Sequence, residues 1–101
     1  MLKEKYPDGI TIDELSDIHP SLYTLVDTRD LTSHEYGAIP NSIFIQNILE
    51  QAINHTLDKN KSYVLYCMNG RKSISLVYEL QQLGYDAIDS LLNPSSPLKV
   101  R

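Results

Sequence analysis

The chain has 101 residues, 42% of them hydrophobic and 22% charged, the proportions of an ordinary globular protein, so a single domain with a thin core is expected. Its formal net charge of −4 offers no broad attraction for phosphodiester backbones or anionic lipid, which leaves nucleic acid and membrane out of the expected partners. One cysteine cannot close an internal disulfide, and His19, His34 and His55 lack the paired spacing of a zinc site, so neither a disulfide nor a metal is expected to staple the fold.

No apolar run approaches the ~20 residues of a spanning helix, and the opening MLKEKYPDG has no signal-like apolar stretch, so a cytoplasmic location is expected. Ile10 to Ile12 reads as a brief strand that runs into a helix ending before Pro20, because Thr11 and Glu14 have the spacing of a capping box. Leu22 to Val26 is rich in β-formers and closes on Asp27-Thr28-Arg29, a second strand ending in charge. Residues 30 to 42, punctuated by Gly37 and Pro40, read as loop with one helical turn. Ile43 to Ile45 is a third short strand.

Asn47 and Glu50 repeat the capping spacing before Leu49, Ala52 and Ile53, which share a helical face, and a helix of about two to three turns is expected before Asp58. Tyr63 to Tyr66 is apolar almost throughout, as a central strand covered on both faces should be. After the loop from Met68 to Arg71, the residues Leu76, Val77, Leu80 and Leu83 fall on one helical face, and Gly84 is placed to end that helix in a left-handed cap. Ala87 to Leu91 supplies a fifth strand, and the breaker-rich segment 93–101 is expected to be irregular. Strands alternating with helices predict a parallel α/β sheet with helices on both faces. In such sheets ligands bind outside the carboxyl ends of the strands, where both Asp27 and Cys67 stand.

Cys67 closes the fourth strand, and the chain must turn sharply before the helix near Lys72, a turn that Gly70 eases. Such a turn aims successive backbone N–H groups into one concavity, and the free N–H groups of the helix start favour an anion at the same point. With Arg71 and Lys72 beside it, the thiol is expected to ionise more readily than the ~8.5 of a free cysteine. A lone cysteine at a strand end is often inert packing, but an inert residue does not call for Gly70-Arg71-Lys72 directly after it. Arg71 and Lys72, taken singly, are equally readable as solvated surface charges. A thiolate there could attack an electrophilic sulfur and keep it as a persulfide cradled by the loop amides, with no metal and no cofactor.

The segment Cys67-Met68-Asn69-Gly70-Arg71-Lys72-Ser73 resembles the active-site loop of the rhodanese family, C-x-x-G-x-R-S, with Lys72 in place of the usual arginine. Asp27 and Arg29 are similar to that family's I-D-x-R segment, and Gly37-Ala38-Ile39-Pro40-Asn41-Ser42 falls at its G-H-I-P-G-A, with Ala38 for the histidine and Asn41 for a glycine. Ser33-His34 stands at the family's Glu-aromatic pair. Glu79 to Leu91 is similar to the family's closing pattern, while its terminal glycine pair and tryptophan-bearing helix have no match after Leu92. The resemblance covers residues 10–92 and implies a three-layer α/β/α domain with a five-stranded, mostly parallel sheet.

It further implies a sulfurtransferase in which Cys67 carries a sulfane sulfur as persulfide, Met68, Asn69, Gly70, Arg71, Lys72 and Ser73 form the anion cradle, and Asp27 and Arg29 support the loop. An equal alternative for Asp27 and Arg29 is an ordinary strand-end pair. The implied partners are a small anionic sulfur donor such as thiosulfate and an acceptor, either cyanide or a thiol on a small molecule or a thioredoxin-like protein. A carrier or regulatory module that docks a protein partner without efficient turnover is the alternative function. A phosphatase or arsenate reductase would need arginine where Ser73 stands, so the cradle would be one residue short and lack the two-pronged clamp for a tetrahedral oxyanion.

Overall fold

The computed structural model describes residues 1–67 and 71–91. Five α-helices and four strands alternate along the described residues: α1 Leu2–Lys5, α2 Ile12–Ser16, a 3-10 helix Pro20–Leu22, β1 Thr24–Asp27, α3 Leu31–Tyr36, β2 Ile43–Phe44, α4 Ile48–Ile53, β3 Ser62–Tyr66, α5 Arg71–Gln82 and β4 Asp86–Asp89. The strands form one sheet in the order β2-β1-β3-β4, and each neighbouring pair is parallel. Among these residues no helix is long and apolar enough to cross a membrane.

The first of the five expected strands is not there. Ile10 makes a single parallel bridge to Ser90 and the chain turns at once into α2, because the Thr11 hydroxyl accepts the Glu14 N–H while the Glu14 carboxylate accepts the Thr11 N–H. That reciprocal cap starts a helix where a strand would otherwise continue. β1 also begins later than expected, since Pro20–Leu22 is held as a 3-10 turn with His19 Nδ1 accepting the Ser21 N–H. The segment after β1 forms the six-residue α3, capped by the Asp30 carboxylate on the Ser33 N–H.

Side chains alternate across the sheet and build two cores. Val26, Tyr63, Leu65 and Ala87 face Ile48 and Ala52 of α4 and Val77 and Leu80 of α5. Leu25, Val64, Tyr66 and Ile88 face the other way, onto Ile10, Leu15 of α2 and Ile39. This is the three-layer arrangement that a sheet buried on both faces requires. Gly84 follows α5 with φ +91°, a left-handed residue that reverses the chain into β4.

α1 has too few residues to be stable alone. It is pinned from a distance: the Asp86 carboxylate of β4 accepts the Leu2 and Lys3 N–H groups at 2.9 and 2.8 Å, so a buried acid satisfies the donors of that helix start.

Candidate functional site

β2 lies on one side of β1 and β3 on the other, so the chain leaves β1 in one direction and returns on the opposite side. The crevice at that reversal is where open parallel sheets bind ligands. Asp27 and Tyr66 are register partners at its edge, and Thr28 and Cys67 follow them out of the sheet.

Thr28 ties the two strand ends together by donating both its N–H and its hydroxyl to the Tyr66 carbonyl, each at 3.0 Å. Cys67 is 9% exposed. Its Sγ accepts the Ser73 N–H at 3.3 Å, and the Ser73 Oγ lies 3.4 Å away. Ser73 is the third residue of α5, so its N–H stands in the first turn, at the donor end of the helix. The sulfur therefore sits against the positive end of a twelve-residue helix.

At the end of β1, opposite Tyr66, Asp27 is fully buried. Its carboxylate accepts the Arg29 backbone N–H at 2.9 Å, Nε at 3.0 and 3.1 Å, and Nη2 at 2.8 Å. His34 Nδ1 stands 2.9 Å from Oδ2, and the Tyr66 hydroxyl donates to the same oxygen at 3.1 Å. Burial works against its charge, but the Arg29 and His34 hydrogen bonds outweigh that and hold the carboxyl below the usual range. Burial is also the main reason the Tyr66 phenol is pushed up, against the hydrogen bonds from Ser42 and Ile39.

The network reaches the loop before β2. Arg29 Nη2 donates to the Gly37 carbonyl at 2.6 Å, and the Tyr66 hydroxyl accepts the Ile39 N–H at 3.2 Å and lies 3.0 Å from Ser42 Oγ. The hydrogen bonds of Asp27 and Arg29 thus run to His34, Gly37 and Tyr66, and bear on Cys67 through the residue that precedes it. Lys72 Nζ donates to the Thr28 carbonyl at 2.7 Å, bridging the start of α5 to the end of β1, and Arg71 opens α5 as an exposed residue. Ser73 is fully buried, with its hydroxyl on Asp89 Oδ1 at 2.5 Å. Met68, Asn69 and Gly70, the first half of the expected cradle, lie outside the described residues, as does the segment 93–101. Among the described residues no group of three or more His, Cys, Asp or Glu side chains could hold a metal ion.

Thr28, His34, Tyr66 and Asp89 belong to this constellation and were not singled out from the sequence. Asp89 left a signal there, an acid in the middle of the expected strand Ala87 to Leu91, since a buried carboxylate needs a partner. Tyr66 left none, because a tyrosine ending an apolar strand looks like packing.

A family model for the rhodanese-like domain matches residues 11–93. Among solved structures, a rhodanese-related protein from Thermoplasma volcanium is similar at 28% identity and TM-score 0.68, with 81% of each chain covered. A rhodanese-like domain protein from Staphylococcus aureus is 29% identical with TM-score 0.63, over 78% of this chain and 79% of that one. A protein from Staphylococcus saprophyticus is 27% identical with TM-score 0.68, over 82% and 85%.

Proposed function

Because the chain belongs to the rhodanese-like family, we propose that it is a sulfurtransferase that moves a sulfane sulfur through a persulfide on Cys67. The observation that carries this reading is the Ser73 N–H, aimed from the first turn of α5 at Cys67 Sγ at 3.3 Å. A helix-start donor on a sulfur favours thiolate over thiol, which gives a nucleophile without a metal or cofactor.

Two half-reactions follow. The Cys67 thiolate attacks the outer sulfur of thiosulfate; the Sγ–S bond forms, the bond to the sulfonate sulfur breaks, and sulfite leaves with the electron pair. Cyanide or an acceptor thiolate then attacks the outer sulfur of the persulfide, and the Cys67 thiolate leaves with that bond's pair. Lys72 has three ammonium donors, of which the Thr28 bond uses one. The others, with Arg71 and residues Met68 to Gly70, are assigned to the anionic donor and the departing sulfite. Thr28, Asp27, Arg29 and Tyr66 keep the ends of β1 and β3 in register, so that Cys67 and α5 hold their separation.

Steady-state assay of thiocyanate release from thiosulfate and cyanide tests the reading. Parallel double-reciprocal lines and loss of turnover in Cys67→Ser are expected. Undiminished turnover in that variant would remove the assignment. A single stoichiometric release followed by arrest would make the chain a sulfur carrier waiting for a protein acceptor.

A further inference from the structure

Three acids are buried in the described fold, and two of them are fully accounted for. Asp27 faces a guanidinium, an imidazole and a phenol. Asp86 takes two backbone N–H groups of α1 and the Ser62 hydroxyl. Asp89 differs. Among the described residues no salt bridge reaches it, and beside the neighbouring Ser90 N–H its side chain meets one hydroxyl, Ser73 Oγ at 2.5 Å, whose oxygen lies 3.4 Å from Cys67 Sγ.

We propose that Asp89 is the proton partner of Cys67, acting through Ser73: the thiol gives its proton to Ser73 Oγ while Ser73 gives its own to Asp89 Oδ1, leaving a thiolate, an intact serine and a neutral carboxyl. The exchange balances, since one proton leaves sulfur, one arrives on carboxylate and the serine keeps one. It rests on the sulfurtransferase reading only for the task it gives the thiolate.

The direction of the exchange follows from what each end meets. Before it, Ser73 spends its single hydroxyl proton on the carboxylate and turns a lone pair to the sulfur, which suits a thiol. Afterwards the proton taken from sulfur points back at it, so the thiolate is held by the Ser73 hydroxyl as well as the Ser73 N–H. The trio carries one negative charge throughout, so no new charge is buried. Burial raises the Asp89 carboxyl above its usual range, against the Ser73 hydroxyl and the Ser90 N–H, which makes it a better proton acceptor than a solvated acid.

Other groups near Asp89 do not supply this coupling. On α5, Tyr78 and Gln81 line the hollow beside it, with Pro7 and Gly9 on the other side, and Tyr78 is its one further titratable residue. Arg71 and Lys72 stand on the first turn of α5, where Lys72 is drawn to Thr28. On β4 itself, Asp86 is tied to α1.

Asp89 is thus a positioning residue, and its signature is coupled titration. Cys67 is the only cysteine in the chain, so its alkylation by iodoacetamide can be followed by intact mass from about pH 4 to about pH 10, spanning both groups' ordinary ranges. The wild-type rate should rise in two steps, because two groups sharing a proton titrate as a pair. Asp89→Asn, which keeps the shape and an acceptor for Ser73, should show one step, and so should Ser73→Ala. The same single step in wild type and Asp89→Asn would overturn the proposal. If Asp89→Asn does not fold, NMR titration of the Asp89 carboxyl decides instead: alkylating Cys67 should shift it, and an unmoved titration would equally refute the coupling. Two steps in a protein that thiosulfate cannot load would sink the sulfurtransferase reading and leave the proton pair standing.

Discussion

Replacing Asp27 by asparagine keeps the side-chain shape and removes its charge at the point where β1, β3 and the loop before β2 meet. In the wild type that carboxylate accepts four Arg29 contacts between 2.8 and 3.1 Å together with the His34 and Tyr66 bonds. Summing charge-assisted hydrogen bonds singly would give an impossibly large figure, because they act as one unit. A better guide is the cost of leaving one member of a buried pair unmatched, about 3–5 kcal/mol. Arg29 is 10% exposed but keeps the Gly37 carbonyl, and asparagine retains one acceptor oxygen, which places the loss at the lower end, about 3 kcal/mol. Against a total stability of about 5–15 kcal/mol, that lowers the melting temperature by about 12–24 °C. Urea unfolding at pH 7 measures it, and an unchanged denaturant slope would show that the native state, not the unfolded chain, lost the energy. A loss under about 1 kcal/mol would mean that the pair is worth no more than a surface ion pair and does not hold the site.

Acid should act through the same group. Asp27 and Asp86 have folded pKa values below their unfolded ones, so their stabilisation is full above about pH 4 and is lost as pH falls through the folded values; Asp27→Asn should flatten that acid limb in urea titrations, and an unaltered limb would contradict it. Asp89 has the opposite sign: stability should fall as pH rises from its unfolded to its raised folded value, so Asp89→Asn should melt higher than wild type at neutral pH, and a lower melting point would show that the carboxylate stabilises the fold. Lys72→Ala removes one ammonium and its Thr28 bond and should raise KM for thiosulfate about 2- to 5-fold at low salt; an unchanged KM would place Lys72 outside the donor path. Gly84→Ala meets no close atom, its nearest neighbour being Lys59 Nζ at 3.6 Å, but φ is +91°, so thermal melts should show a cost of about 1–2 kcal/mol. No loss would mean that the turn relaxes.

Much of the fold is legible where local chemistry and tertiary need agree. The Thr11–Glu14 box and Gly84 do in the structure what their residue types favour. Cys67 directly follows β3, four residues ahead of the first residue of α5. Where the deciding contact is remote the sequence is silent: α1 exists because Asp86, more than eighty positions away, accepts its first N–H groups. Asn47 has the spacing of a cap but makes no side-chain cap bond. The site shows the same division. Tyr66, Cys67, Lys72 and Ser73 lie in one short run, whereas His34 joins them through Asp27, the register partner of Tyr66, and Asp89 through the packing of α5 on β4.

The reading of Cys67 as a sulfur carrier is met most directly by intact mass spectrometry of the chain after thiosulfate treatment and desalting. A gain of one sulfur atom is predicted, lost on adding cyanide or a small thiol and missing from Cys67→Ser. A mass that stays at that of the untreated chain, under conditions where iodoacetamide alkylates Cys67 completely, would contradict it.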